Sequence, residues 1–452
     1  MPSLQSLLDQ ADRATEEIVE LEQALVRIPT VNSGFMPTGD ETKVAEFIRD
    51  WLANEGIGSE ILARDPERGN IIAVYPGDEP RTKLMFMSHT DVVPVEDRSK
   101  WKHDPFGAEI SGGRVYGRGA SDCKALLTSQ LVAMAILKRN GVRLQHGLRL
   151  VSGADEEHGG RWGFGWLADH HPEALESDFA VNEGGGTPVE IGNSLTYLLG
   201  TGEKGRLEIH VRFKGESAHA SVPWTGRNAS FALAKALSAI ESYEPELDTS
   251  LPIFGHLGKF AIEAEASTKN INEIVGEASR KTPRLGSLLR ALSRMTLTPT
   301  MIRGGVKSNS VPESFELTCD VRTLPFQDEA YVRSQLDKVF EGIEGVEYDI
   351  DYMSVPNSSD FETDLAAAIK RAQALAVERD DIQWAPAVSN GFTDSRFTRN
   401  LGIVTYGFAG AHPNDDPMLA RAHGTDESVG IASLMSATRC MVALAYDVCG
   451  GR

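Results

Sequence analysis

Three short apolar runs in this chain each end directly in acidic or histidine residues. KLMFMS (83–88) leads into His89-Thr90-Asp91, LRLVSGA (148–154) into Asp155-Glu156-Glu157, and DFAV (178–181) into Asn182-Glu183-Gly184-Gly185. Such runs, bounded by turn signals, read as buried strands. In an open α/β sheet, ligands bind beyond the carboxyl ends of the strands, so three strand ends loaded with His, Asp and Glu converge on one site. That many carboxylates cannot share a pocket without a cation to offset their repulsion. The chemistry expected is that of bound metal.

Each candidate has a plainer role to weigh beside it. Asp91 is placed to hold the far ring nitrogen of His89 and fix its tautomer, or His89 is a turn histidine and Asp91 a helix cap. Asp122, in YGRGASDCKA, is read as the N-cap of the next helical stretch, and a carboxylate there can also bridge two cations. Gly117 and Gly119 let the backbone pass close to a buried site. Glu156 and Glu157 are adjacent, so they point in different directions. One can bind metal while the other faces substrate as general base; otherwise the pair belongs to a solvated acidic loop. Glu183 repeats the strand-end placement. His423, in RAHGTDES, is a turn histidine whose case depends on the set. Two imidazoles and three carboxylates (His89, Asp122, Glu157, Glu183, His423) suit a borderline cation such as Zn²⁺, two of them bridged by one carboxylate.

The elements that must position these residues alternate. Helical periodicity covers 15–28 and 41–55, strands follow at 70–75 and 83–88, and a long helical stretch runs from Cys123 to Gly141. FGWLADHH separates the strands LRLVS and DFAV. This βα alternation predicts an α/β domain with a mostly parallel central sheet. The texture changes near 203. RLEIHVRFKG (206–215) alternates with period two, as a half-exposed antiparallel strand does, and reads as a sheet edge. A helix (230–243), two strands, a helix (329–343) and a strand (348–355) follow. This is the β-α-β-β-α-β order of a ferredoxin-like domain, with a helix-rich insertion at about 255–300. The predicted organisation is a catalytic domain over 1–202 and 358–452, interrupted by an α+β lid and dimerisation domain over 203–357.

Length and charge bound the rest. A chain of 452 residues is too long for one ordinary core. The net charge of −20, from 65 acids against 45 bases, argues against nucleic-acid or anionic-membrane partners. No signal peptide is read at the N-terminus, and no apolar run is read as approaching a membrane span. Four cysteines without CxxC spacing read as reduced thiols of a cytoplasmic protein.

HTDVVP, GRGASDCKA, SGADEEHGG, NEGGG, ESAHASVP and AHGTDES, in this order, resemble the aminoacylase/carboxypeptidase G/succinyl-diaminopimelate desuccinylase family of dinuclear zinc peptidases and amidohydrolases. The resemblance implies that Asp122 bridges two metals, that His89 and Glu183 hold one apart from the shared ligands, and that Glu157 and His423 complete the pair. It implies Asp91 as the residue orienting His89 and Glu156 as general base. A cis peptide at Asp122–Cys123 and a His219 that steadies the oxyanion in a partner subunit's site are also implied. Asn309 and Arg322 match positions that bind substrate oxygens. Arg396 is a further candidate for a substrate carboxylate, against the alternative of an ordinary surface arginine. Cys123 departs from the usual motif and would expose the site to thiol reagents.

The resulting expectation is a hydrolase of an amide bond next to a free carboxylate, in an N-acyl amino acid or a short peptide. It would use two divalent ions, Zn²⁺ first and Co²⁺ or Mn²⁺ as substitutes, and act as a homodimer. An aminopeptidase with a similar centre, and a non-catalytic binding protein on the same fold, are the alternatives.

Overall fold

In the computed structural model, which describes residues 2–451, the three apolar runs form adjacent parallel strands. Gly147–Gly153, Thr82–His89 and Phe179–Asn182 lie side by side, and Val404–Gly407 adds a fourth parallel neighbour. Successive residues of a strand face opposite ways. Leu84 and Phe86 accordingly enter one core, beneath long helices, and Met85 and Met87 enter another with Phe164 and Leu167. Covered on both faces, the strand reads as a continuous apolar run rather than an alternating one. Flanking strands are antiparallel: Gly69–Tyr75 and Ser59–Ala63 on one side, Ser194–Glu203 on the other.

The stretch Ala120–Arg139, whose regular helix is Ala125–Arg139, and the helix Ile431–Val448 have the length and apolar composition to cross a bilayer, contrary to the expectation that no run approaches that length. Both are core elements. Leu127, Leu131, Val132 and Met134 of the first, and Met441, Val442 and Leu444 of the second, are fully buried in the protein's own interior.

The chain divides into two compact units, one of Met1–Thr201, Ser359–Ala387 and Thr393–Arg452, the other of Gly202–Ser358 and Val388–Phe392. The short return at Val388–Phe392 has no periodic signal. It is tied to the second unit by Lys204 N–H donating to Ser389 O (2.9 Å) and Arg322 Nη1 to Asn390 O (3.2 Å).

The second unit is an antiparallel sheet in the spatial order Thr296–Gly304, Ser314–Thr323, Gly205–Lys214, Val346–Ser354. Helices Ala229–Ser242 and Glu329–Phe340 supply Leu233, Ala236, Val332 and Leu336 to a core with Leu207, Ile209, Val211 and Phe213. This is the ferredoxin-like arrangement. Helices Ile271–Lys281 and Pro283–Leu292 lie in the insertion. The strand containing RLEIHVRFKG is not an edge, because it is hydrogen-bonded on both sides. Period-two alternation reports that one face is covered; it carries no information about lateral neighbours. The true edges are Thr296–Gly304 and Val346–Ser354.

Candidate metal centre

His89 ends its strand with a side chain 1% exposed. Its Nδ1 lies 3.0 Å from the Asp91 carbonyl oxygen and 3.4 Å from Asp91 Oδ1. The Asp91 backbone is therefore the nearer partner, with the carboxylate beside it. With Nδ1 so engaged, Nε2 faces outward to Asp122 Oδ1 at 3.1 Å and Glu183 Oε1 at 3.5 Å.

Asp122 stands in a tight turn, Ala120–Lys124, ahead of the helix Ala125–Arg139. It does not cap that helix: Lys124 occupies the cap position and no side chain caps there. The Asp122–Cys123 peptide is cis. Gly119 at φ +83° precedes the turn, and a Cβ there would collide with Val92. Asp122 Oδ2 meets His423 Nε2 at 3.1 Å, and Glu157 Oε2 meets the same nitrogen at 3.0 Å. One carboxylate thus presents its two oxygens to two different imidazoles.

The turn is fixed by Glu427, which is fully buried. Its Oε1 accepts from the N–H groups of Ser121 (3.0 Å) and Asp122 (3.1 Å). Its Oε2 pairs with Arg118, whose Nη2 donates to the His423 carbonyl at 3.2 Å. Asp155, Asp426 and His423 itself all hold positive φ (65°, 58° and 63°). Non-glycine residues in that region cluster at functional sites, where the surrounding structure over-determines them.

Burial raises the proton affinity of the Glu183 carboxyl to about 7, with the charge of Asp122 adding to it. Burial, then Glu183, pushes Glu156 well above the usual carboxylate range. Burial would also raise Asp122, but His423 and His89 outweigh it and hold that group well below its ordinary value. Hydrogen bonds to Asp122 and Glu157 lift His423 to about 10.

The donor set fits divalent metal. His89, Asp122 and Glu157 bring ligand atoms within 4.8 Å of one another, as do His89, Cys123 and Glu183. Glu157 Oε1 is buried without a hydrogen-bond partner. An orphaned carboxylate oxygen is costly in a dry interior, and a cation relieves it.

Glu156, 6% exposed, sits beside this cluster. Arg396, in the same unit, is 5% exposed rather than a surface side chain, and its Nη2 donates to Gly159 O at 2.8 Å. In the second unit His219 is exposed, on a two-residue ladder with Ser310, and Asn309 O accepts from Ala220 N–H at 3.0 Å. His219 and Asn309 are therefore neighbours. Ser221 lies against the His219 ring, with its N–H 3.2 Å and its hydroxyl oxygen 2.7 Å from Nδ1. Arg322 pairs with Asp320 at 2.8 Å.

Cys123 is 1% exposed and burial pushes its thiol up. Its sulfur accepts from His89 N–H at 3.1 Å, so sensitivity to thiol reagents is not expected after all. Glu427 and Asp394 escape a reading of the sequence. Glu427 lies four residues after His423 in the same motif. Asp394, beside Arg396, is 2% exposed with neither carboxylate oxygen hydrogen-bonded, and burial raises it to about 8. A lone acid in a polar stretch carries no signal that it will be buried.

Residues 85–447 match the sequence profile described as peptidase family M20/M25/M40. A probable succinyl-diaminopimelate desuccinylase of Staphylococcus aureus (strain Mu50) is 26% identical over 382 residues, covering 84% of this chain and 87% of that protein. Among solved structures, the M20 metallo-carboxypeptidase Sso-CP2 from Sulfolobus solfataricus has a TM-score of 0.71 at 20% identity, covering 95% of this chain and 98% of its own. The aminopeptidase PepT from Bacillus cereus has a TM-score of 0.66 at 17% identity, covering 96% and 98%. A dinuclear metal-binding M20 peptidase of Bacillus subtilis has a TM-score of 0.60 at 16% identity, covering 97% and 99%.

Proposed function

The chain belongs to peptidase family M20/M25/M40 and is a metallohydrolase, and on that premise we propose that it cleaves an amide bond adjacent to a free carboxylate. The substrate is an N-acyl amino acid or a short peptide. The observation that carries this reading is Asp122, whose two oxygens each lie 3.1 Å from a different imidazole.

In this proposal Asp122 would be shared by two divalent ions, Zn²⁺ first and Co²⁺ or Mn²⁺ as substitutes. His89 and Glu183 would hold one, Glu157 and His423 the other, and Asp91 would orient His89. When bound, the pair would supply Lewis acidity toward the scissile carbonyl and toward water. Glu156, whose proton affinity burial has raised, accepts a proton from the attacking water and returns it to the leaving nitrogen. Arg322 and Asn309 anchor the substrate's oxygens. Arg396, whose guanidinium holds the Gly159 carbonyl, is a further candidate for the substrate carboxylate. His219 is proposed to steady the developing oxyanion in a partner subunit's site, which makes a homodimer the proposed working unit. The exposed Met301 and Ile302 on the edge strand Thr296–Gly304 support pairing there. Cytoplasmic residence is proposed from four buried, unpaired cysteines.

Aminopeptidase activity is the second reading. The inserted domain is compatible with it, because the aminopeptidase PepT matches the fold over nearly the full length of this chain. Hydrolysis of N-acyl amino acids, N-blocked dipeptides and free dipeptides, with metal content measured on the same sample, separates the possibilities. Cleavage of N-blocked substrates supports the proposal. Cleavage confined to free N-termini assigns an aminopeptidase, and no turnover of any of the three classes by fully metal-loaded protein would overturn the proposed substrate class.

A further inference from the structure

The loop that carries Glu156 is fastened by residues from the first 70 positions of the chain, all of them outside the matched stretch 85–447. Arg68 and Glu41 are 1% and 0% exposed. Arg68 grips Glu41 with Nε to Oε2 at 2.6 Å and Nη2 to Oε1 at 2.7 Å, a bidentate pair. The same Nη2 reaches Asp155 Oδ1 at 3.1 Å, and Glu41 Oε1 accepts from Asp155 N–H at 3.3 Å. Asn32 Nδ2 then spans Asp155 Oδ1 at 3.0 Å and Asp91 Oδ2 at 2.8 Å. Asp91 ends the relay: its Oδ1 accepts from Glu156 N–H and its Oδ2 from Glu157 N–H, both at 3.1 Å.

Three buried carboxylates around one guanidinium and one amide are an expensive way to hold a fold, since apolar packing of similar volume is often as stabilising. What such a relay supplies is direction. It terminates on the backbone N–H groups of two consecutive residues, the proposed base and a proposed metal ligand, and on the aspartate that touches His89. Its rigidity is transmitted to where those side chains emerge.

We propose that Asn32, Arg68 and Glu41 are positioning residues that set the placement of Glu156 and Glu157 through Asp155 and Asp91. The inference rests on the functional reading above. Asn32→Ala removes the amide link without changing charge, and Arg68→Lys keeps charge while losing the fork. For each, three quantities are measured: zinc affinity of the metal-stripped protein by calorimetry, kcat and KM on the substrate found in the screen, and thermal unfolding. We expect zinc affinity or kcat to fall roughly 10–100-fold, the usual cost of disturbing groups that orient metal ligands, with KM little changed. The double variant should fall short of the product of the single effects, because both act through Asp155. Near-parental zinc affinity and kcat in folded Asn32→Ala, with only a lower melting temperature, would overturn the proposal and leave a folding staple. Should Arg68→Lys fail to fold, Asn32→Ala decides alone. Should the parent turn over nothing, the proposed substrate class fails while the zinc titration still tests positioning.

Discussion

His423 Nε2 stands 3.1 Å from Asp122 Oδ2, although the two residues lie about 300 positions apart in the chain. Glu427 and Arg118 account for the meeting. One holds the backbone of Asp122, the other the carbonyl of His423, and they are paired to each other in a fully buried contact. His423 is itself exposed, so its placement depends on this anchor rather than on packing.

His423→Ala removes a donor facing Asp122 and Glu157 and leaves His89 and Glu183 intact. Elemental analysis of the variant should find about one of two metal equivalents lost, because the second half-site keeps its own ligands. Full stoichiometry in the variant would contradict the ligand assignment.

Lys204 in the inserted unit is 1% exposed, and its Nζ donates to Ala291 O and Arg294 O, each at 2.8 Å. Burial, followed by Arg322 and Arg294, lowers it from 10.5 to about 7. The unfolded chain therefore binds the proton more tightly between those values. Folding carries a penalty that is fully present below pH 7, diminishes as pH rises, and is gone above 10.5. The slope is at most about 1.4 kcal/mol per pH unit. The stability difference between parent and Lys204→Met, from urea unfolding at pH 7, 8 and 9, should move in the parent's favour as pH rises. A difference independent of pH would show that the ammonium keeps its ordinary affinity.

The strand-end residues were legible because an apolar run that stops at His89, Asp155 or Glu183 states both the burial of the strand and the change of surroundings at its end. The inserted unit was legible from the change of period near 203. The lateral order of its strands was not, and Gly205–Lys214 proved central. Asn32, Glu41 and Arg68 were invisible for a different reason: isolated polar residues declare nothing until the fold gathers Asp91 and Asp155 around them.

His219 is proposed to act across a two-fold interface. Mixing two inactive variants, His219→Ala and Glu156→Ala, lets a heterodimer assemble one site with both residues intact. Activity should partly return on mixing. No recovery, once subunit exchange is demonstrated with tagged chains, would mean that His219 works within its own chain or not at all.

The central claim is that Glu156 moves the proton while its neighbours hold the metal. The most direct measurement is turnover by Glu156→Gln in a sample whose metal content equals the parent's. The account predicts both metals retained and kcat lowered roughly 10²-fold or more, the range for losing a general base. Near-parental turnover at full metal content would contradict it.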